Sequence, residues 1–151
     1  MSQDVLSVIP ADPRWQPDKK AAERTHALVA SWFPEGSATY VETTRSDTVT
    51  AFSSGQNLDR IGCPACGEEI DLDWWFELEE EHSETGFTSL DVAVPCCGAV
   101  LPLDSLDYDY PCGFARFRIA VWDAERWFED GELAALAEAL GHPVRQIRAY
   151  I

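Results

Sequence analysis

Four of the five cysteines in this chain fall in two short, similar segments, and their spacing is that of metal ligation. Cys63-Pro64-Ala65-Cys66-Gly67 sets two thiols two residues apart across a tight turn, and the glycine after the second permits the positive φ that such a turn needs. Thiolates so placed point at one ion, and Zn²⁺ is the ion this donor set suits. Val94-Pro95-Cys96-Cys97-Gly98 aligns with the first segment position by position. Cys97 then matches Cys66, Val94 stands where Cys63 stands, and Cys96 takes the place of Ala65.

The Cys-Pro-x-Cys-Gly form of residues 63–67 resembles the first half of a zinc ribbon, in which a second CxxCG knuckle lies on a neighbouring hairpin. The resemblance covers residues 60–103. It implies a Zn²⁺ cofactor and carries over three ligands, Cys63, Cys66 and Cys97, while Val94 departs from the family pattern. The fourth ligand stays open. Cys96 is the nearest candidate, although adjacent ligating cysteines call for a distorted turn; Cys112 and His82 are alternatives, as is water in an open site. Four thiolates would close the coordination sphere and make the metal structural, whereas an open position would suit a zinc-dependent enzyme or a metal-responsive regulator. Iron–sulfur ligation fits the spacing less well. Disulfides fit an odd number of cysteines poorly, and the N-terminal residues do not read as a secretory leader, so a cytoplasmic protein is expected.

Charge is concentrated around these cysteines. The 151 residues carry 27 Asp and Glu against 11 Lys and Arg, a formal charge of −16. Residues 61–115 hold 13 of the acids and no Lys or Arg, while the flanks on either side are nearly neutral. Such a field repels phosphate, so nucleic acid and anionic lipid are poor partners and a basic protein is the expected one. Nucleic-acid binding would need Arg116, Arg118, Arg145 and Arg148 on one exposed face. No apolar run is long enough to span a bilayer.

Between the knuckles, the spacing predicts a short helix capped by Asp71 or Asp73. Glu79, Glu80 and Glu81 near its end oppose the helix dipole, at about 0.3 kcal/mol or more each, unless something positive meets them. Trp74, Trp75 and Phe76 in succession cannot all face one core at about 100° per residue. Glu77, Glu79, Glu80, Glu81, Trp74 and Trp75 are therefore the expected partner-binding residues. Glu79 and His82 form one Glu-x-x-His element, but the second copy that a di-iron bundle requires is missing. No nucleophile elbow, phosphate loop or zincin motif is present, and no catalytic residue is assigned.

A scaffold must position these groups, and the two flanks supply its elements. Residues 5–9 read as a strand, and residues 17–33 as a helix beginning at Pro17 with Ala21, Thr25, Leu28, Val29 and Trp32 on one face. Residues 38–43 and 48–52 alternate and read as a hairpin turning at the polar residues 44–47. Residues 114–122 form a strand, residues 130–140 a helix capped by Asp130 and ended by Gly141, and residues 144–151 a closing strand. The class expected is α+β, a ferredoxin-like (split βαβ) scaffold of residues 1–60 and 111–151 with an acidic zinc-ribbon subdomain inserted at 61–110. The function expected is a non-enzymatic, zinc-stabilised interaction module, of the kind inhibitors, immunity proteins and nucleic-acid mimics exemplify.

Overall fold

The computed structural model describes residues 3–37 and 39–151; residue 38, where the expected hairpin began, lies outside them. The first apolar run forms β1 (Asp4–Pro10) and the first helical pattern α1 (Lys19–Ser31). Asp18 rather than Pro17 opens the helix, its carboxylate accepting the Ala21 N–H at 2.7 Å.

The expected hairpin is instead one strand, β2 (Tyr40–Phe52). It pairs antiparallel with β8 (Gly113–Trp122), placing Arg45 opposite Phe117 and Thr50 opposite Ala115, so residues 46–49 loop out against Arg116 alone. The carbonyl freed at Ser46 accepts from Gln16 Nε2 at 3.0 Å and Arg116 Nε at 3.4 Å. Tertiary donors thus satisfy the polar segment without a chain reversal. After β8 come α3 (Asp130–Leu140) and β9 (Val144–Tyr150). Asp130 is the first residue of α3 rather than its cap; Glu129 precedes it, donating its N–H to the Glu132 carboxylate at 2.9 Å. Gly141 closes the helix at φ 83°.

The four long strands form a sheet in the order β2-β8-β1-β9, every neighbouring pair antiparallel. α1 and α3 pack together, and Leu6, Val8, Phe117, Ile119 and Val121 of the sheet share a buried cluster with Val29, Leu136 and Leu140 of the helices. The opposite face is buried as well. Beyond the bulge the β2–β8 ribbon folds over it, bringing Gly113 so close that a Cβ there would lie 2.3 Å from Ile147 Cδ1 and 2.4 Å from Ile9 Cδ1. The chain leaving β2 then reaches β9, where the Gln56 N–H donates to the Tyr150 carbonyl at 2.8 Å and Asn57 Nδ2 to that of Arg148 at 3.1 Å.

Between β2 and β8 lie β3 (Ile61–Gly62), β4 (Glu69–Ile70), α2 (Leu72–Glu81), β5 (Asp91–Ala93), β6 (Val100–Pro102), a 3-10 turn (Leu103–Ser105) and β7 (Asp107–Tyr108). β4-β3-β7 make one small sheet and β5-β6 another. Strands this short do not hold together by pairing alone. They enclose a core of Ile61, Ile70, Trp75, Leu90, Val94 and Leu103, continuous with Val49 and Phe114 of the large sheet. The Phe87 N–H donates to the Val49 carbonyl at 2.8 Å, fastening this segment to the bulge. Among the described residues, no helix is long and apolar enough to cross a membrane.

Candidate metal centre

The two knuckles occupy the turns β3–β4 and β5–β6, and their backbones repeat one pattern. The Cys63 N–H donates to the Glu68 carbonyl at 2.9 Å, and the Gly67 N–H to the Cys63 carbonyl at 2.8 Å. In the second turn the Val94 N–H donates to the Ala99 carbonyl at 3.0 Å, and the Gly98 N–H to the Val94 carbonyl at 2.8 Å. Gly67 and Gly98 take φ of 76° and 75°, the left-handed conformation that each turn requires. The distorted second turn expected for adjacent cysteines is therefore not found. Cys96 reaches the centre from the Ala65 position of an ordinary knuckle, while Val94, at the Cys63 position, is buried in the core.

The Sγ atoms of Cys63, Cys66, Cys96 and Cys97 all lie within 4.8 Å of one another, Cys66 to Cys96 at 3.4 Å and Cys63 to Cys97 at 3.9 Å. Tetrahedral Zn²⁺ with Zn–S bonds of about 2.3 Å separates its sulfurs by about 3.8 Å, so the four fit one ion. Cys63 is buried, Cys96 half-buried, and Cys66 and Cys97 are exposed.

The electrostatics of the cluster favour a cation. The Cys66 backbone amide, helped by that of Ala65, holds the Cys63 thiol down at about 7. Burial, with Cys66 and Cys63 alongside, pushes the Cys96 thiol up to about 12. The Ala99 amide pulls Cys97 down, but burial and the neighbouring sulfurs leave it raised. Four thiolates this close would repel one another, a conflict that a bound divalent ion would remove. Arg60, beside the first knuckle, is engaged with Glu69 at 3.2 Å.

The two alternative ligands lie elsewhere. Cys112 is buried 3.6 Å from Ser54 Oγ, with its thiol raised by that burial. His82 caps α2: its Nδ1 is 2.9 Å from the Leu78 carbonyl and its ring stacks on Phe87, with centroids 4.3 Å apart. A polar group thus meets the end of the helix where the glutamates crowd, a role not foreseen for this histidine.

α2 sorts the expected partner-binding residues. Asp71 is its cap, accepting the Asp73 N–H at 2.9 Å. Glu77, Glu80 and Glu81 are exposed and Trp74 is half-buried. Glu79 turns inward, where burial raises its carboxyl pKa against the pull of the Ser53 hydroxyl. Trp75 is 1% exposed and belongs to the core, so it is removed from the partner face. Its Nε1–H donates to Tyr108 Oη at 3.1 Å, and the Tyr108 hydroxyl donates to the Leu103 carbonyl at 2.7 Å. The full aromatic face of Trp75 was available to this core because the helix turns Trp74 and Phe76 to its flanks.

The four arginines do not make a common free face. Arg118 lies 4.7 Å above the Phe52 ring and 3.8 Å from Glu42, Arg148 is paired with Asp4 at 2.6 Å, and Arg116 and Arg145 donate to backbone carbonyls.

No family model, curated protein or solved structure matches this chain. What the fold and the cluster define is a mixed α/β protein with antiparallel sheets and a four-cysteine candidate metal centre.

Proposed function

We propose that Cys63, Cys66, Cys96 and Cys97 hold one structural Zn²⁺, and that the chain is a non-enzymatic interaction module whose acidic face receives a basic protein. The observation that carries the metal is the mutual approach of four sulfurs to within 4.8 Å. Zinc would supply a fixed tetrahedral tie between the two knuckles and a counter-charge for the thiolates. Four sulfur donors leave no position for water or substrate, which favours this reading over a zinc enzyme or an open-site regulator. The strand order, with α1 between β1 and β2 and α3 between β8 and β9, supports a ferredoxin-like scaffold into which residues 61–110 are inserted.

Glu77, Glu80 and Glu81 on α2, with Trp74 beside them, offer the charge that accelerates encounter and the aromatic surface that adds short-range affinity. An inhibitor, immunity or nucleic-acid-mimic role fits this surface. Free thiols suit a reducing compartment such as the cytoplasm.

The test joins metal content with capture from native lysate at low and high salt. One zinc per chain is expected, with no rapidly reacting thiol until the protein is unfolded with chelator, when all five react. Reversing Glu77, Glu80 and Glu81 to lysine should abolish the salt-sensitive captured partner while leaving zinc content unchanged. Unchanged capture by that variant would sink the interaction reading, and absence of bound metal would sink the zinc site.

A further inference from the structure

A cleft of about 490 Å³ opens between α1 and β2, on the scaffold and away from the cysteine cluster, lined by Lys19, Ala22, Glu23, His26, Thr43 and Arg45. Its size is that of a small-molecule site. Three of its six residues carry basic groups, in a chain where acids outnumber Lys and Arg by 27 to 11. Among the described residues the ion pairs engage Arg60, Arg118, Arg126 and Arg148, so neither Lys19 nor Arg45 is neutralised by a carboxylate. One N–H of the Arg45 guanidinium is anchored on the Pro17 carbonyl at 3.1 Å, which orients the fork and leaves its remaining donors for a ligand. His26 Nδ1 lies 2.6 Å from Thr43 Oγ1, fixing the ring and leaving Nε2 as its free nitrogen.

The lining is predominantly apolar, as Ala22, Thr43 and the long aliphatic stems of Lys19 and Arg45 allow. We propose that this cleft binds an organic monoanion, a carboxylate on a compact apolar body, with the carboxylate on Arg45 and Lys19. Glu23 on the same rim disfavours a more highly charged phosphate. The acidic cysteine segment contributes none of the lining residues, and opposite charges in contact outweigh a diffuse field that salt screens over a Debye length of about 8 Å.

The experiment uses 8-anilinonaphthalene-1-sulfonate as a fluorescent monoanion, its uncharged counterpart N-phenyl-1-naphthylamine, and octanoate as a carboxylate competitor. The sulfonate should bind one per chain, at least about tenfold tighter than the neutral dye, and be displaced by octanoate. Arg45→Gln and Lys19→Gln should each weaken it about tenfold, while Lys20→Gln, an exposed neighbour outside the cleft, should change it less than about twofold. Thr43→Val, which frees the His26 ring, should weaken it by a smaller factor, with circular dichroism confirming that every variant is folded. NMR shifts should centre on Ala22, His26 and Thr43. Equal binding of charged and neutral dyes, equal effects of Arg45→Gln and Lys20→Gln, or shifts centred elsewhere would each overturn the proposal.

Discussion

Val94 holds in the second knuckle the backbone place that Cys63 holds in the first, its N–H bonded to Ala99 as that of Cys63 is bonded to Glu68. The repeat survives in the main chain while the cysteine that joins the cluster stands two residues along, at Cys96. Cys96→Ala should weaken zinc binding by more than the 10- to 100-fold, roughly, that loss of an outer contact costs. Adding Val94→Cys to that variant should restore one zinc per chain, as read by competition with a chromogenic chelator. Failure of the double variant would show that the side-chain directions of the two turns differ although their backbones agree.

Chelation should loosen the cysteine segment before the scaffold. β3 to β7 are strands of two or three residues, whereas the large sheet carries its own helix-covered core. Hydrogen exchange after metal removal should show protection lost across residues 61–108 and retained in β1, β8 and β9. Uniform loss would mean that the metal supports the whole molecule.

The bond relay from Trp75 through Tyr108 to Leu103 makes the phenol both acceptor and donor. Tyr108→Phe leaves the Trp75 N–H without its partner and takes from the Leu103 carbonyl one of two donors, the Leu106 N–H remaining at 3.4 Å, and should cost about 1–3 kcal/mol in urea unfolding. Trp75→Ala should cost more, about 3–5 kcal/mol, since it also empties the centre of that core.

Acid should reveal the pair made by Arg126 and Glu132, whose two bonds measure 2.7 and 2.8 Å. The guanidinium holds the Glu132 carboxyl down at about 2, against an ordinary value of 4.5. A depressed carboxyl stabilises the fold above its unfolded pKa, and this contribution is lost as pH falls from about 4.5 towards about 2. Solvent screening limits it to about 1 kcal/mol or less. The Tm difference between wild type and Glu132→Gln should therefore be present at pH 6 and vanish near pH 2; a constant difference would refute the pairing.

Gly113→Ala probes the fold-over of the β2–β8 ribbon. Its Cβ would press on Ile9 and Ile147, both 1% exposed, and the overpacking should cost about 1–3 kcal/mol in denaturant unfolding. A neutral result would mean that the ribbon end does not lie against this face.

The sequence by itself determined what depends on neighbours along the chain. A cap at Asp71 or Asp73, of which Asp71 takes the place, Gly141 as a helix terminator, the two glycine turns and the likeness between residues 63–67 and 94–98 are all short-range matters of φ, capping and spacing. The concentration of acids around the cysteines is equally a property of composition. Tertiary structure decided the rest. Residues 44–47 looked like a turn because they are polar, yet Gln16 and Arg116, distant in sequence, take the Ser46 carbonyl and let the strand continue. Trp75 rather than Trp74 became the core aromatic because Tyr108 and Leu103 stand opposite it. Which of Cys96, Cys112 and His82 stands with Cys63, Cys66 and Cys97 likewise depended on three-dimensional placement: Cys96 lies within 4.8 Å of the other three sulfurs, Cys112 is enclosed beside Ser54, and His82 is occupied at the end of α2. Local geometry can offer a ligand, a cap or a turn, but only packing between distant segments determines which offer is taken.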